Sequence, residues 1–256
     1  MRDDRVAIVT GAGSGIGREI AVQLASRGFR LVLAGRRPDP LRETGRLCEG
    51  GVGGSDVGEG HQWIAVGTDV SKMEQVERLV DTGADRFGRI DALINNAGWT
   101  GIKPIEQHSP EEIREIFEVN ALGTVWAIAR ALPVMLAQDP DGGGTGTERG
   151  VIVNVSSMAT ADPFPGLSVY GSAKASVEAI CLGIRNEHGD NLIRAHAVAP
   201  GAVETGLLRS IVSEDSLPRA MAMSPEFVAE KVLECVTGHS GLANGETVYV
   251  AEARMG

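Results

Sequence analysis

The sequence is poor in the groups that mark several classes of function. It has three cysteines, at positions 48, 181 and 235, and no C-x-x-C pair. Neither a thiolate metal centre nor a disulfide framework is therefore expected, and a reducing compartment is. Basic residues are also short, 24 lysines and arginines against 34 aspartates and glutamates, for a formal net charge of −10. A nucleic-acid partner would want a basic face, which argues against that class. No run of about 18 apolar residues occurs, so no membrane partner is expected. The opening MRDDRVAIVTG enters its first apolar run without the h-region of a signal peptide, which gives a cytoplasmic expectation. What is there is 256 residues, 43% hydrophobic, enough for one large domain over 1–256 or two small ones, and an α/β domain of that size buries a sizeable core.

The residues that carry chemistry concentrate between Val151 and Lys174, VIVNVSSMATADPFPGLSVYGSAK. An apolar strand delivers the Ser157 hydroxyl to a sheet edge, and a helix starts near Tyr170 with Lys174 four positions on. Side chains at i and i+4 share a helical face about 5–6 Å apart, so phenol and ammonium project together. A tyrosine ordinarily titrates near ~10, and a nearby cation favours its phenolate. The spacing thus predicts a lowered Tyr170 pKa and a proton carrier there, with Ser157 or its neighbour Ser156 holding a substrate oxygen. That is the chemistry of a carbonyl becoming an alcohol.

A hydride source is expected at the other end of the chain. Arg5–Gly17, RVAIVTGAGSGIG, reads as a short strand, a glycine-rich turn and the start of a helix. Gly11, Gly13, Gly15 and Gly17, with Ser14 and Ile16 between them, let the backbone turn sharply and approach a ligand. The helix N-terminus behind them offers free N–H groups and a positive dipole end, a seat for a pyrophosphate. The spacing is T-G-x-x-x-G-x-G, wider than the common dinucleotide pattern.

Taken in order, TGAGSGIG (10–17), TDV (68–70), NNAG (95–98), Asn120 in FEVNALG, Ser157, YGSAK (170–174) and PGAVET (200–205) resemble the motifs of the short-chain dehydrogenases/reductases. They follow that family's order and spacing over essentially the whole chain. The resemblance implies an α/β Rossmann fold, a doubly wound, mostly parallel seven-stranded sheet with helices on both faces. It also implies a nicotinamide cofactor, a small-molecule alcohol or carbonyl substrate oxidised or reduced reversibly, and a homo-oligomer, tetramer or dimer. Residue by residue, it makes Tyr170 the acid/base, favours Ser157 over Ser156, and has Lys174 hold the nicotinamide ribose and tune Tyr170. Asn120 bends its helix and holds a water in a relay toward Lys174. Asp69 and Val70 fall at the adenine edge, Asn96, Ala97 and Gly98 beside the ribose, and Pro200, Gly201, Val203 and Thr205 at the nicotinamide.

Cofactor choice turns on the end of the second strand, FRLVLAGRR. A carboxylate there holds the NAD ribose, whereas this chain has Gly35, Arg36 and Arg37. Two guanidiniums could clamp a 2′-phosphate, so NADP is favoured over NAD; the alternative is that both are solvated surface charge. Ser14 stands where NADP-preferring relatives often carry a basic residue.

The rest of the chain yields structural expectations. Ile16, Ile20 and Leu24 form a buried stripe ended by Gly28 as C-cap. Ser71 with Glu74 reads as a capping box, followed by a stripe of Met73, Val76, Val80 and Phe87. Asn95 ties neighbouring strands, and Trp99 either walls the substrate pocket or is an exposed loop aromatic. Ser109-Pro110-Glu111-Glu112 starts a helix that buries Ile113, Ile116 and Phe117. The helices at about 109–137 and 168–187 are apolar on more than one face, the expected oligomer surface. Pro163, Phe164 and Pro165 line the substrate site, His196 is a core histidine, and about 203–223 forms a lid carrying Leu207, Leu208 and Ile211. Ser224-Pro225-Glu226 begins the last helix and GETVYV is the closing strand. Segments 48–61 and 139–150 read as mobile glycine-rich loops, and the ending AEARMG departs from the Asp-Gly-Gly common in relatives. A dinucleotide-binding sensor without turnover is the alternative function, against which the chain keeps both Tyr170 and Lys174. An epimerase or dehydratase would need a separate substrate domain for which there is no room.

Overall fold

The computed structural model describes residues 4–50, 62–140 and 148–251. The first strand, β1 (Val6–Thr10), is buried at every position, and so is β4 (Ala92–Asn95). Strands covered on both faces read as continuous apolar runs, which is why these segments lack alternation in the sequence. With β2 (Arg30–Gly35), β3 (Trp63–Gly67), β5 (Gly150–Val155), β6 (Ile193–Pro200) and β7 (Thr247–Val250), they form one sheet in the order β3-β2-β1-β4-β5-β6-β7. Every pairing is parallel, so all seven C-terminal ends share one edge.

Helices cover both faces. Ile20 and Leu24 of α1 (Gly15–Ser26), Leu41 of α2 (Pro38–Cys48) and Val228 and Val232 of α8 (Pro225–Thr237) pack with Ala7 and Val9 on one side. On the other, Val76, Leu79 and Val80 of α3 (Met73–Phe87), Ile128 and Met135 of α5 (Gly123–Ala137) and Cys181 and Ile184 of α6 (Ser168–His188) pack with Val6 and Ile8. The chain reverses direction across the sheet between β1 and β4, which opens a crevice beyond their C-terminal ends. The stretch Pro110–Ala137 is long and apolar enough to cross a membrane, yet its Ala127, Ile128, Ala131 and Met135 are core residues.

Several local expectations hold. Asn95 and Asn154 lie opposite each other in the β4–β5 register, and Asn95 Nδ2 donates to Asn154 Oδ1 at 2.9 Å. Ser109 and Glu112 form the reciprocal capping box of α4 (Pro110–Phe117), which buries Ile116. Gly28 follows the α1 C-cap Arg27 in the left-handed region, φ +88°, and donates to the Ala25 carbonyl at 2.9 Å. Ser224 caps α8 by accepting from the Phe227 N–H. Leu122, Val125 and Leu182 leave apolar side chains exposed on the helical stretches read as an oligomer surface.

Two expectations fail. Ser71 is not a cap, because Asp69 Oδ1 accepts from both its N–H and its hydroxyl at 3.0 and 2.8 Å. The helix then begins one residue later, with Lys72 at the N-cap making no side-chain bond. Met73 is accordingly turned outward and exposed, and Leu79 takes its place in the α3 core stripe. The glycine-rich segments 48–61 and 139–150 fall mostly, and the ending 251–256 almost wholly, outside the described residues.

Candidate active site

Beyond the C-terminal ends of β1 and β4 the chain leaves a cleft of about 1730 Å³. Its floor is the turn after β1. Gly11 (φ +67°) and Gly15 (φ +51°) occupy the left-handed region that side chains resist. Thr10 Oγ1 accepts from the Asn96 and Ala97 N–H groups at 2.9 and 3.0 Å, and Asn96 Nδ2 donates to the Thr10 carbonyl at 2.9 Å, so the tips of β1 and β4 are laced together. Gly11, Gly13, Ser14, Gly15 and Ile16 line the cleft, but Gly17 does not. Gly17 is buried behind the turn, where an added Cβ would press on the Gly11 carbonyl and sit 2.5 Å from Asn96 Nδ2. Its place is inside the turn, where it lets the loop pack on Asn96. The first turn of α1 carries no acidic side chain and Ser14, its N-cap, makes no side-chain cap bond. Its free N–H groups suit an anion.

At one end of the cleft, Arg36 and Arg37 line the wall beyond β2. Both are exposed, and neither is paired to a carboxylate among the described residues. Asp69 and Val70 follow β3 in the same wall, Asp69 turned back on Ser71 while its N–H donates to Gln75 at 2.8 Å. Asn96, Ala97 and Gly98 continue the lining beyond β4, and Pro200, Gly201, Val203 and Thr205 face them beyond β6.

The chemistry-bearing side chains meet in the middle. Ser157, half-buried after β5, sets its hydroxyl beside that of Tyr170, and Lys174 lies one helical turn beyond Tyr170 in α6. Lys174 Nζ donates to the Val155 carbonyl at 2.8 Å and lies 5.8 Å from the centre of the Tyr170 ring. Burial dominates both groups, contrary to the lowered Tyr170 pKa that the spacing predicts. It pushes Tyr170 up to about 12 against the opposing Ser157 bond, and Lys174 down to about 8.

Asn120 does not line the cleft; it is fully buried in a wide π-type turn, Glu118–Leu122, that joins α4 to α5. Its Nδ2 donates to the Trp99 and Ile116 carbonyls at 2.6 and 2.8 Å, and its Oδ1 accepts from the Trp99 N–H at 3.2 Å. The amide is therefore satisfied by backbone and fixes Trp99, which lines the cleft half-buried. Ser156, the rival to Ser157, is buried and donates to Glu178 Oε1 at 2.5 Å. Sequence reasoning missed Glu178. It lies one turn past Lys174 and also accepts from Thr160 Oγ1 at 2.8 Å and, on Oε2, from the Tyr249 hydroxyl at 3.0 Å. One carboxylate thereby holds both flanks of Ser157. The i+4 spacing from Lys174 was the available signal, but the hydroxyls it gathers come from three elements.

His196 lies in the core of β6, its pKa lowered to about 4 by burial and by Arg194 beside it. Among the described residues no group of His, Cys, Asp and Glu is arranged to hold a metal. Residues 203–223 leave the sheet, form α7 (Gly206–Ile211), and return through a parallel bridge between Val203 and Met223. Leu207, Leu208 and Ile211 of this excursion, and Phe164 opposite, face the cleft.

The family model for short chain dehydrogenases matches residues 5–216. An uncharacterized oxidoreductase of Staphylococcus saprophyticus is 36% identical over 216 residues, 83% of this chain and 79% of that protein. One from Staphylococcus aureus is 31% identical over 235 residues, 91% of each. Among solved structures, levodione reductase superposes with a TM-score of 0.84 at 26% identity, covering 98% of this chain and 97% of that one. A 3-ketoacyl-(acyl-carrier-protein) reductase from Brucella melitensis, complexed with NADH, also gives 0.84, at 28% identity and 99% coverage of both.

Proposed function

The chain belongs to the short chain dehydrogenase family of oxidoreductases acting on alcohol and carbonyl groups, and on that premise we propose that it works with NADP(H), Tyr170 being its proton carrier. The observation that carries this reading is one continuous wall. It runs from the glycine turn and two guanidiniums, without an ion pair among the described residues, to Ser157, Tyr170 and Lys174. The cradle fits a dinucleotide: Gly11 and Gly15 hold left-handed backbone angles in a turn that lines the cleft, and α1 begins there without an acid.

A bound nicotinamide supplies or accepts the hydride. Ser157 holds the substrate oxygen and Tyr170 gives it a proton during reduction or takes one during oxidation. With its pKa near about 12, Tyr170 is protonated at neutral pH and so rests in the donor state that reduction needs. Lys174, cationic below about 8, offsets charge appearing on the phenol as the proton leaves. Asn120 serves by holding Trp99 and the turn behind Lys174. The 203–223 excursion is the lid, its apolar side closing over the reacting carbon.

The test is a fluorescence titration with NADPH and with NADH. Charge-assisted bonds from Arg36 or Arg37 to the 2′-phosphate are worth about 1.5–3 kcal/mol, roughly ten- to a hundredfold in affinity. NADPH should bind tighter by that margin, and Arg36→Ala with Arg37→Ala should erase the difference. Equal binding in the unmodified protein would make the arginines surface charge and transfer the reading to NAD.

Glu178 provides a second check on the same site. Glu178→Ala frees Ser156 and Thr160, and a small displacement of Ser157 should lower kcat about tenfold with the KM for the nucleotide unchanged. Glu178→Gln keeps an acceptor oxygen and should recover most of the loss in steady-state kinetics. Unchanged kcat in the alanine variant would remove Glu178 from any positioning role.

A further inference from the structure

We infer that the cleft takes an uncharged, mainly apolar ketone or secondary alcohol and turns away one carrying a carboxylate or phosphate, with Glu115 and Asp162 as the residues that set this choice. The inference rests on the reading of the cleft as an oxidoreductase site and adds the class of substrate.

Beyond Tyr170 the wall is built from Trp99, Ile102, Val119, Leu167, Leu208 and Ile211. At the mouth, Phe164 and Met221 stand 67% and 53% exposed, large apolar side chains that an apolar ligand would cover. The cations tell the same story. Among the described lining residues only Arg36, Arg37 and Lys174 are basic. The first two lie beyond β2, across the cleft from the substrate end, and the third is committed to the Val155 carbonyl.

The cations of the neighbouring loop and of the excursion are engaged elsewhere. Lys103, next to Ile102, pairs with Glu112. In the 203–223 excursion Arg209 pairs with Glu204 and donates to the Leu217 carbonyl at 2.8 Å. Arg219 pairs with Glu214 at 2.6 Å and approaches Glu204 at 3.7 Å. By contrast Glu115 of α4 and Asp162, five residues after Ser157, line the cleft with no ion pair and no side-chain hydrogen bond among the described residues. An anionic substrate entering here loses water and meets two like charges. The same pattern works against a substrate tethered through a phosphodiester arm.

The experiment titrates the protein, saturated with oxidised cofactor, with acetophenone and separately with 4-acetylbenzoate, by calorimetry at an ionic strength of about 0.01 M. The neutral ketone should bind about tenfold tighter, the scale of two partly screened unit charges. That gap should close in about 0.5 M salt, where the Debye length is below ~5 Å, and in the Glu115→Gln, Asp162→Asn double variant. A closing gap under both changes is a signature of charge that altered packing does not produce. Equal or tighter binding of the carboxylate, a gap indifferent to salt and to both substitutions, or no binding of either ketone overturns the inference. Because the titration needs no turnover, failure of the oxidoreductase reading is separate. It would be seen as bound acetophenone that NADPH never reduces.

Discussion

Replacing Tyr170 by Phe should leave the nucleotide bound and stop the chemistry, with turnover down by about 10²–10⁴, the range for one acid–base group. The substitution keeps the ring under the Lys174 ammonium and removes only the oxygen that Ser157 faces. NADPH affinity measured by fluorescence should therefore change little while kcat collapses. A variant that turns over at a near-normal rate would show that the proton travels by another route. A pH profile sharpens the test. Lys174 titrates at about 8, so its cation is present below that value and lost above it, whereas Tyr170 stays protonated up to about 12. The rate of carbonyl reduction should hold on the acid side of pH 8 and fall as pH rises through it. A rate that goes on rising beyond pH 9 would mean that the Lys174 charge is not needed.

Gly17→Ala should be the most damaging small substitution in the chain. The new methyl group meets the Gly11 carbonyl and Asn96 Nδ2, backbone and a tethered amide that cannot swing aside. Overpacking of this kind costs about 1–3 kcal/mol, a fall of roughly 2–12 °C in Tm for a domain of this size. Binding should suffer more. If the displaced turn loses two N–H bonds to a pyrophosphate, dinucleotide affinity drops by about a hundredfold or more. Thermal unfolding and the NADPH titration together check this. A variant with unchanged affinity would show that the turn does not hold the phosphates. Gly13→Ala is a useful contrast, because its Cβ presses on the Pro40 side chain at 3.0 Å and meets its other neighbours at ordinary contact distance.

Much of this is legible in the sequence. Strands buried on both faces announce themselves as unbroken apolar runs, and glycines at a strand-to-helix turn mark the binding edge. The Ser109 cap could be read because its partners are local and nothing competes for them. Ser71 has the same local pattern yet caps nothing, because Asp69, two residues back, takes its hydroxyl. Gly17 looked like its neighbours in the loop, and only the approach of Asn96 from 79 positions away reveals that it faces inward. The Tyr170 and Lys174 spacing puts both on one face, but the direction of the Tyr170 shift is set by burial, which only the fold reveals. Glu178 needed the fold outright, since its hydroxyl partners lie at positions 156, 160 and 249.

The base of the 203–223 excursion has a further consequence. Met223 donates to the Ala202 carbonyl and Glu204 to the Met223 carbonyl, each at 2.9 Å, so the two ends of the loop are stitched together before it departs. Loop-closure entropy grows slowly with length, about 0.6 kcal/mol per doubling, so what lies beyond the stitch can lengthen or change sequence at little cost to the sheet. The excursion is thereby a replaceable cassette. Cut and rejoined at Val203 and Met223, it can be exchanged for the corresponding segment of another enzyme of this fold, changing what the cleft admits while Ser157, Tyr170 and Lys174 stay on the frame that holds them.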